Sequence, residues 1–153
     1  MALSCVKCQS IHVATIKRSN STVTVTGTER SAQYRSQQVL FDDGTIIAHE
    51  SRGGELTSVW AGDLGEEYIE IVHLGDGADG GELIMTIPGQ DTVLLGSLYV
   101  SQLPGEVPET WPPAIDLAIG LMTADTVVLT DEGRVDREEI EAFHQRLLGV
   151  LHG

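Results

Sequence analysis

What most limits the folds open to this chain is the order of its apolar periodicities: strand-like runs come first, and helical stripes appear only near the end. Thr22-Val23-Thr24-Val25-Thr26 alternates β-branched apolar and polar positions, the period-two pattern of a strand with one buried face. Residues 68–74, 83–87 and 92–95 are more continuously apolar, as in Leu83-Ile84-Met85 and Val93-Leu94-Leu95. These runs read as strands. Residues 45–48, 98–100 and 126–129 read as further strands, the first of them buried, while 56–60 is ambiguous and 11–18 is a short helix or a strand. Residues 31–41 read as a short helix ended by Asp42-Asp43-Gly44.

The helical signals are concentrated in the last third. Trp111-Pro112-Pro113 opens a helix, because proline suits a first turn whose N–H groups have no partner inside the helix. Ile115, Ala118, Ile119 and Met122 then recur at helical spacing. After a turn at Asp131-Glu132-Gly133, Asp136 caps a last helix, with Glu139 three residues on as in a capping box. Ile140, Phe143, Leu147, Val150 and Leu151 form its apolar stripe. Strands followed by strand–helix–strand–helix predict an α/β protein in which helices cover sheets. Its 153 residues fit one domain spanning 1–153, of which residues 1–21 are poorly defined.

Charge narrows the function classes. The formal net charge is −14, and no Lys or Arg lies between Arg52 and Arg134, a stretch holding fifteen carboxylates. A nucleic-acid binder needs a basic stripe, so that class is set aside. The acidic stretch reads first as a solvated surface that keeps the protein soluble. The sharper reading is a face that docks a cation, a basic partner or the chain's own N-terminal segment. No apolar stretch approaches the ~20 residues of a membrane span, and no signal-peptide core is visible, so a cytoplasmic protein without membrane contact is expected.

Local motifs leave alternatives open. Cys5 and Cys8 form one C-x-x-C with His12 beyond; a structural zinc site needs about four ligands, so incidental thiols come ahead of a metal or redox role. Asp76, Asp79 and Glu82 lie in the glycine-rich run 75–82, either as exposed acids of a turn or as oxygen ligands for a hard cation, although the EF-hand spacing is absent. His49 and His73 read as structural histidines at strand ends. Ser97 lacks the G-x-S-x-G elbow of a serine nucleophile, and no glycine-rich run ends in G-K-[ST]. Trp60, Tyr99 and Trp111 read as core before pocket.

From about Thr22 onward the chain resembles the metallo-β-lactamase-fold superfamily. The resemblance rests on motifs in sequence order: Thr45-Ile46-Ile47-Ala48-His49-Glu50, Asp63-Leu64-Gly65 through His73-Leu74-Gly75, then Gly77, Gly81, Leu83 and Pro88, Val93-Leu94-Leu95-Gly96, and the closing segment from Trp111 through Asp125-Thr126-Val127-Val128 to the final helix. It implies a reduced αββα sandwich, two mostly antiparallel or mixed sheets flanked by helices. The family's metal positions depart from pattern. H-x-H-x-D-H falls, by counting back from Phe41, on Glu29-Arg30-Ser31-Ala32-Gln33-Tyr34; the His of G-H-T falls on Ala78, the bridging Asp on Ser97, and the last His on Asp131 or Glu132. Catalytic zinc needs about three His, Cys or carboxylate ligands and an open water position, which these side chains do not supply.

The resemblance therefore implies a non-catalytic, metal-free binding or protein-interaction module without a cofactor. Its cleft would be lined by Glu29, Tyr34, Ser97 and Asp131, with a small molecule or protein partner as ligand. The alternative is an ester, lactone or phosphoester hydrolase rebuilt around a divalent cation on Asp76, Asp79 and Asp131. Family members carry a longer stretch before the first metal motif. Its shortness here implies an open sheet edge and an uncovered apolar face, and hence a homodimer.

Overall fold

The computed structural model describes residues 15–19, 22–48, 57–74 and 82–152. Five strands, β1 (Thr15–Ser19), β2 (Thr22–Thr26), β3 (Ser31–Arg35), β4 (Gln38–Phe41) and β5 (Ile46–Ala48), form an antiparallel meander in sequence order. A second sheet contains β6 (Thr57–Asp63), β7 (Tyr68–His73), β8 (Leu83–Ile87), β9 (Thr92–Gly96), β10 (Val127–Thr130) and β11 (Gly133–Asp136), in the order β11-β10-β9-β8-β7-β6. All its neighbours are antiparallel except β9 and β10. That parallel pair requires a crossover, and the crossover contains helix α1 (Trp111–Ile119). Helix α2 (Arg137–His152) closes the described chain.

The α/β class expected from the sequence therefore holds, with two mostly antiparallel or mixed sheets and two helices. One core lies between the sheets, where Val23, Val25, Ala32, Tyr34, Val39 and Phe41 meet Ile69, Ile71, Leu83, Met85, Ile87 and Leu94. The other lies on the opposite face of the six-stranded sheet, where Val72, Ile84, Val93, Leu95 and Val128 meet Trp111, Ile115, Ala118, Ile140, Phe143 and Leu147. Every residue of β8 and β9 is buried, which accounts for their unbroken apolar sequence. Strand β2 is buried only at Val23 and Val25, matching its alternation.

Several local expectations are corrected. Residues 31–41 form the β3–β4 hairpin rather than a helix: Ala32 and Tyr34 alternate inward, as do Val39 and Phe41. β5 is half-buried only at Ile47, not a buried strand, because it pairs with β4 alone among the described residues. Residues 98–100 turn away from the sheet instead of adding a strand, held by the Trp111 indole N–H donating to the Leu98 carbonyl at 2.8 Å. β11 went unforeseen, since Val135 is its one large apolar residue. Asp136 caps α2 as expected, its Oδ1 accepting the Glu139 N–H at 2.9 Å. Val150 departs from the buried stripe and is 51% exposed.

Both described helices lie on the six-stranded sheet. The outer face of the five-stranded sheet is polar at Thr22, Gln33, Arg35 and Gln38, with Arg35 Nε donating to Thr22 Oγ1 at 2.9 Å, and apolar only around Leu40 and Ile46. An extensive uncovered apolar face is thus not found among the described residues. No helix among them is long and apolar enough to cross a membrane.

Candidate functional site

In sheets with parallel strands, the crevice beyond the carboxyl ends is where connections diverge and ligands are commonly bound. Here β9 and β10 end side by side, at Gly96 and Thr130. Gly96 has φ +58, and a Cβ on it would lie 2.1 Å from Ser36 Oγ and 3.0 Å from Tyr34 Oη. Glycine is needed there for both conformation and space. The vacated space receives the first sheet: Ser36 Oγ accepts the Ser97 N–H at 2.7 Å, and the Ser36 carbonyl accepts the Leu83 N–H at 2.9 Å. Asp131 N–H donates to the Gly96 carbonyl at 3.0 Å.

Tyr34 lies at the centre of this junction. It is fully buried, and its hydroxyl donates to the Leu83 carbonyl at 2.7 Å. Burial is the main cause pushing the phenol well above its ordinary value; the Ser36 hydrogen bond opposes the rise, and the charges of Glu82 and Asp131 add to it. The phenol is held as a neutral donor. Glu82 itself is fully buried immediately before β8, and His73 fully buried at the end of β7.

Beside Ser97 the surface opens into a groove of about 500 Å³, lined by Ser97, Val100, Gln102, Pro104, Glu106, Pro108 and Trp111. Both sides of its loop are fastened. The Ser101 N–H donates to the Glu132 carboxylate at 3.1 and 3.2 Å, and Trp111 packs edge-on against Phe143 at 5.6 Å between centroids. Tyr99 anchors the same loop from inside, against Phe143 at 4.9 Å with its hydroxyl donating to Glu139 at 2.7 Å. Trp111 is therefore both core and groove wall, whereas Tyr99 is core, and Trp60 is half-buried against Phe41 at 4.6 Å.

Of the four cleft residues inferred from sequence, Tyr34, Ser97 and Asp131 converge here, although only Ser97 borders the groove. Glu29 does not. It lies in the β2–β3 turn at the opposite end of the sandwich, its N–H bonded to the Leu64 carbonyl at 2.9 Å. The reason is backbone shape: five residues of mostly extended chain from Glu29 to Tyr34 span roughly 16 Å. Of the proposed cation loop, Asp76 and Asp79 lie outside the described residues, as do Cys5, Cys8, His12, His49 and Ala78. Glu82 is buried rather than an exposed acid of a turn.

Sequence reading missed Ser36 and the groove wall. Ala32, Tyr34 and Ser36 are a period-two set pointing inward, a signal hidden by reading the segment as helical. For zinc, the donor set at the junction is unsuitable: a phenol held neutral, a serine whose backbone is already engaged, and the Asp131 carboxylate. Among the described residues no group of three or more His, Cys, Asp or Glu is placed to hold a metal ion. No family model matches this chain, and no curated protein or solved structure matches it.

Proposed function

We propose that this chain is a reduced metallo-β-lactamase-like protein that acts as a metal-free, non-catalytic binding or interaction module. The observation that carries this reading is the filled junction at Gly96–Ser97. On the resemblance, the positions of Tyr34, Ser97 and Asp131 would fall among metal ligands; here the Ser36 Oγ and the Tyr34 phenol beside them are engaged with backbone at 2.7 Å each. A Lewis-acid site needs deprotonated or neutral-nitrogen donors aimed at open space. This junction supplies hydroxyls aimed at backbone. What remains accessible is the groove next to Ser97, whose size falls in the range of small-molecule sites, about 300–1,000 Å³.

Metal analysis of protein purified without chelator, combined with ester, lactone and phosphoester assays, tests the proposal. The expected result is substoichiometric metal and no turnover; one zinc or more per chain with turnover abolished by EDTA would overturn it. The reading also includes a homodimer. With the outer face of the five-stranded sheet largely polar, the sheet edges are its basis. Sedimentation at tens of micromolar should show a dimer, and a clean monomer would remove that part of the proposal.

A further inference from the structure

The groove beside Ser97 combines an apolar wall with a lining that includes Glu106 and no basic side chain. We infer that it takes a small organic cation, an apolar body bearing an ammonium group; this rests on the reading of the groove as a binding site. Val100, Pro104, Pro108 and Trp111 supply apolar wall, while Gln102 and Glu106 supply its polar rim. Glu132 sits against the same loop through Ser101, and Asp131 adjoins it at the end of β10. No Lys or Arg occurs between Arg52 and Arg134, the stretch that contributes every lining residue. The whole chain carries −14.

A carboxylate or phosphate entering this groove would meet repulsion and no cationic side chain from its walls. An ammonium would be drawn inward by the net negative charge and would pair with Glu106 at the rim, while its apolar portion displaced water from the valine and proline surfaces. The loop is already held by the Glu132–Ser101 and Trp111–Leu98 bonds, so less ordering accompanies binding than for a free loop. A larger hollow of about 580 Å³ lies between α1 and α2, lined by Asp116, His144 and Leu148 among others, but its lining has histidines as well as acids.

Three matched probes decide the matter: phenethylammonium, 3-phenylpropionate and 3-phenylpropanol, titrated by calorimetry and by ¹⁵N chemical shifts. The ammonium should bind about tenfold more tightly than the carboxylate, shifting amides of residues 97–111. That preference should shrink several-fold in Glu106→Gln and as salt rises from about 0.05 to 0.5 M. Glu106 is exposed, so an unchanged melting temperature checks that the variant is folded. Equal or tighter binding of the carboxylate or alcohol in the groove would overturn the cation assignment and leave the groove as a binding site. If no probe shifts residues 97–111 at millimolar concentration, the groove reading itself fails, and the cation assignment fails with it.

Discussion

The two ends of the sandwich are built differently. At the end where β2 turns into β3 and β6 into β7, turns lock directly onto one another. Glu29 and Arg30 N–H groups both donate to the Leu64 carbonyl, Thr28 hydrogen-bonds Glu66, and Arg30 pairs with Asp43 at 2.9 Å while lying over the Phe41 and Trp60 rings. Asp91 joins the same end, accepting hydroxyls of Thr123 and Thr126 at 2.9 and 2.6 Å. At the opposite end, contacts run between separate layers through Tyr34, Ser36 and Gly96, and the groove opens beside them. The first end is stitched by polar bonds between turns, most of them exposed. The second buries its polar groups and leaves one wall accessible, which is why function is sought there.

Added carbon should damage both ends most. Gly27→Ala would place Cβ 2.1 Å from the Leu64 carbonyl oxygen, and Gly96→Ala would combine positive φ with overlap on Ser36. Each should cost about 3 kcal/mol in urea unfolding. A loss below about 1 kcal/mol at Gly96 would mean that Ser36 yields easily and that the junction is looser than described.

Tyr34→Phe should follow at about 1–2 kcal/mol near neutral pH, because the Leu83 carbonyl loses its buried donor. Its pH signature separates the two ends. The folded phenol titrates above its unfolded value, so its contribution is complete below about pH 10 and is lost as pH rises beyond it. Alkaline unfolding should therefore be less steep in the phenylalanine variant; identical slopes would place Tyr34 in contact with solvent.

Asp91→Ala should cost about 1 kcal/mol by removing two hydroxyl bonds, read as a lower thermal midpoint with the groove's amide shifts unchanged. The smallest effect belongs to Asp43. The Thr45 backbone bond first, and the Arg30 charge less, hold its carboxyl below the ordinary value. Its contribution exists above the unfolded value near 4 and fades as pH falls through the lower folded one. Asp43→Asn should lower stability slightly above about pH 4 and not at all in strong acid, while carboxyl NMR titration of the unsubstituted protein reads the lowered Asp43 value directly.

How much of this was legible in the sequence follows from burial. β8 and β9 are buried on both faces, so their apolar runs stand out in any reading. The β3–β4 hairpin was misread because its turn, Ser36-Gln37, contains none of the glycine, proline or asparagine that usually marks one. Ala, Gln and Arg in the same segment are good helix formers, and only pairing with β2 overrides them. Glu29 entered the expected cleft through the family motif counted back from Phe41, a spacing with no residue identity to anchor it. Ser97 and Asp131 were placed by segments anchored on β9 and β10, whose register is held by the core. The groove escaped notice because its walls are prolines and a tryptophan spaced irregularly along a loop, where periodicity carries no information.

The parallel pairing of β9 with β10 has a kinetic consequence. Every other neighbouring pair within either sheet is antiparallel and adjacent in sequence, whereas this one forms only after the chain has travelled through residues 97–126. Closing that excursion is the costliest conformational search in the second sheet. The groove is carved from the excursion itself, so any molecule lodged in it would also hold β10, β11 and α2 against detachment. Occupancy would then register as slower amide exchange in the final quarter of the chain, far from the atoms that touch the guest.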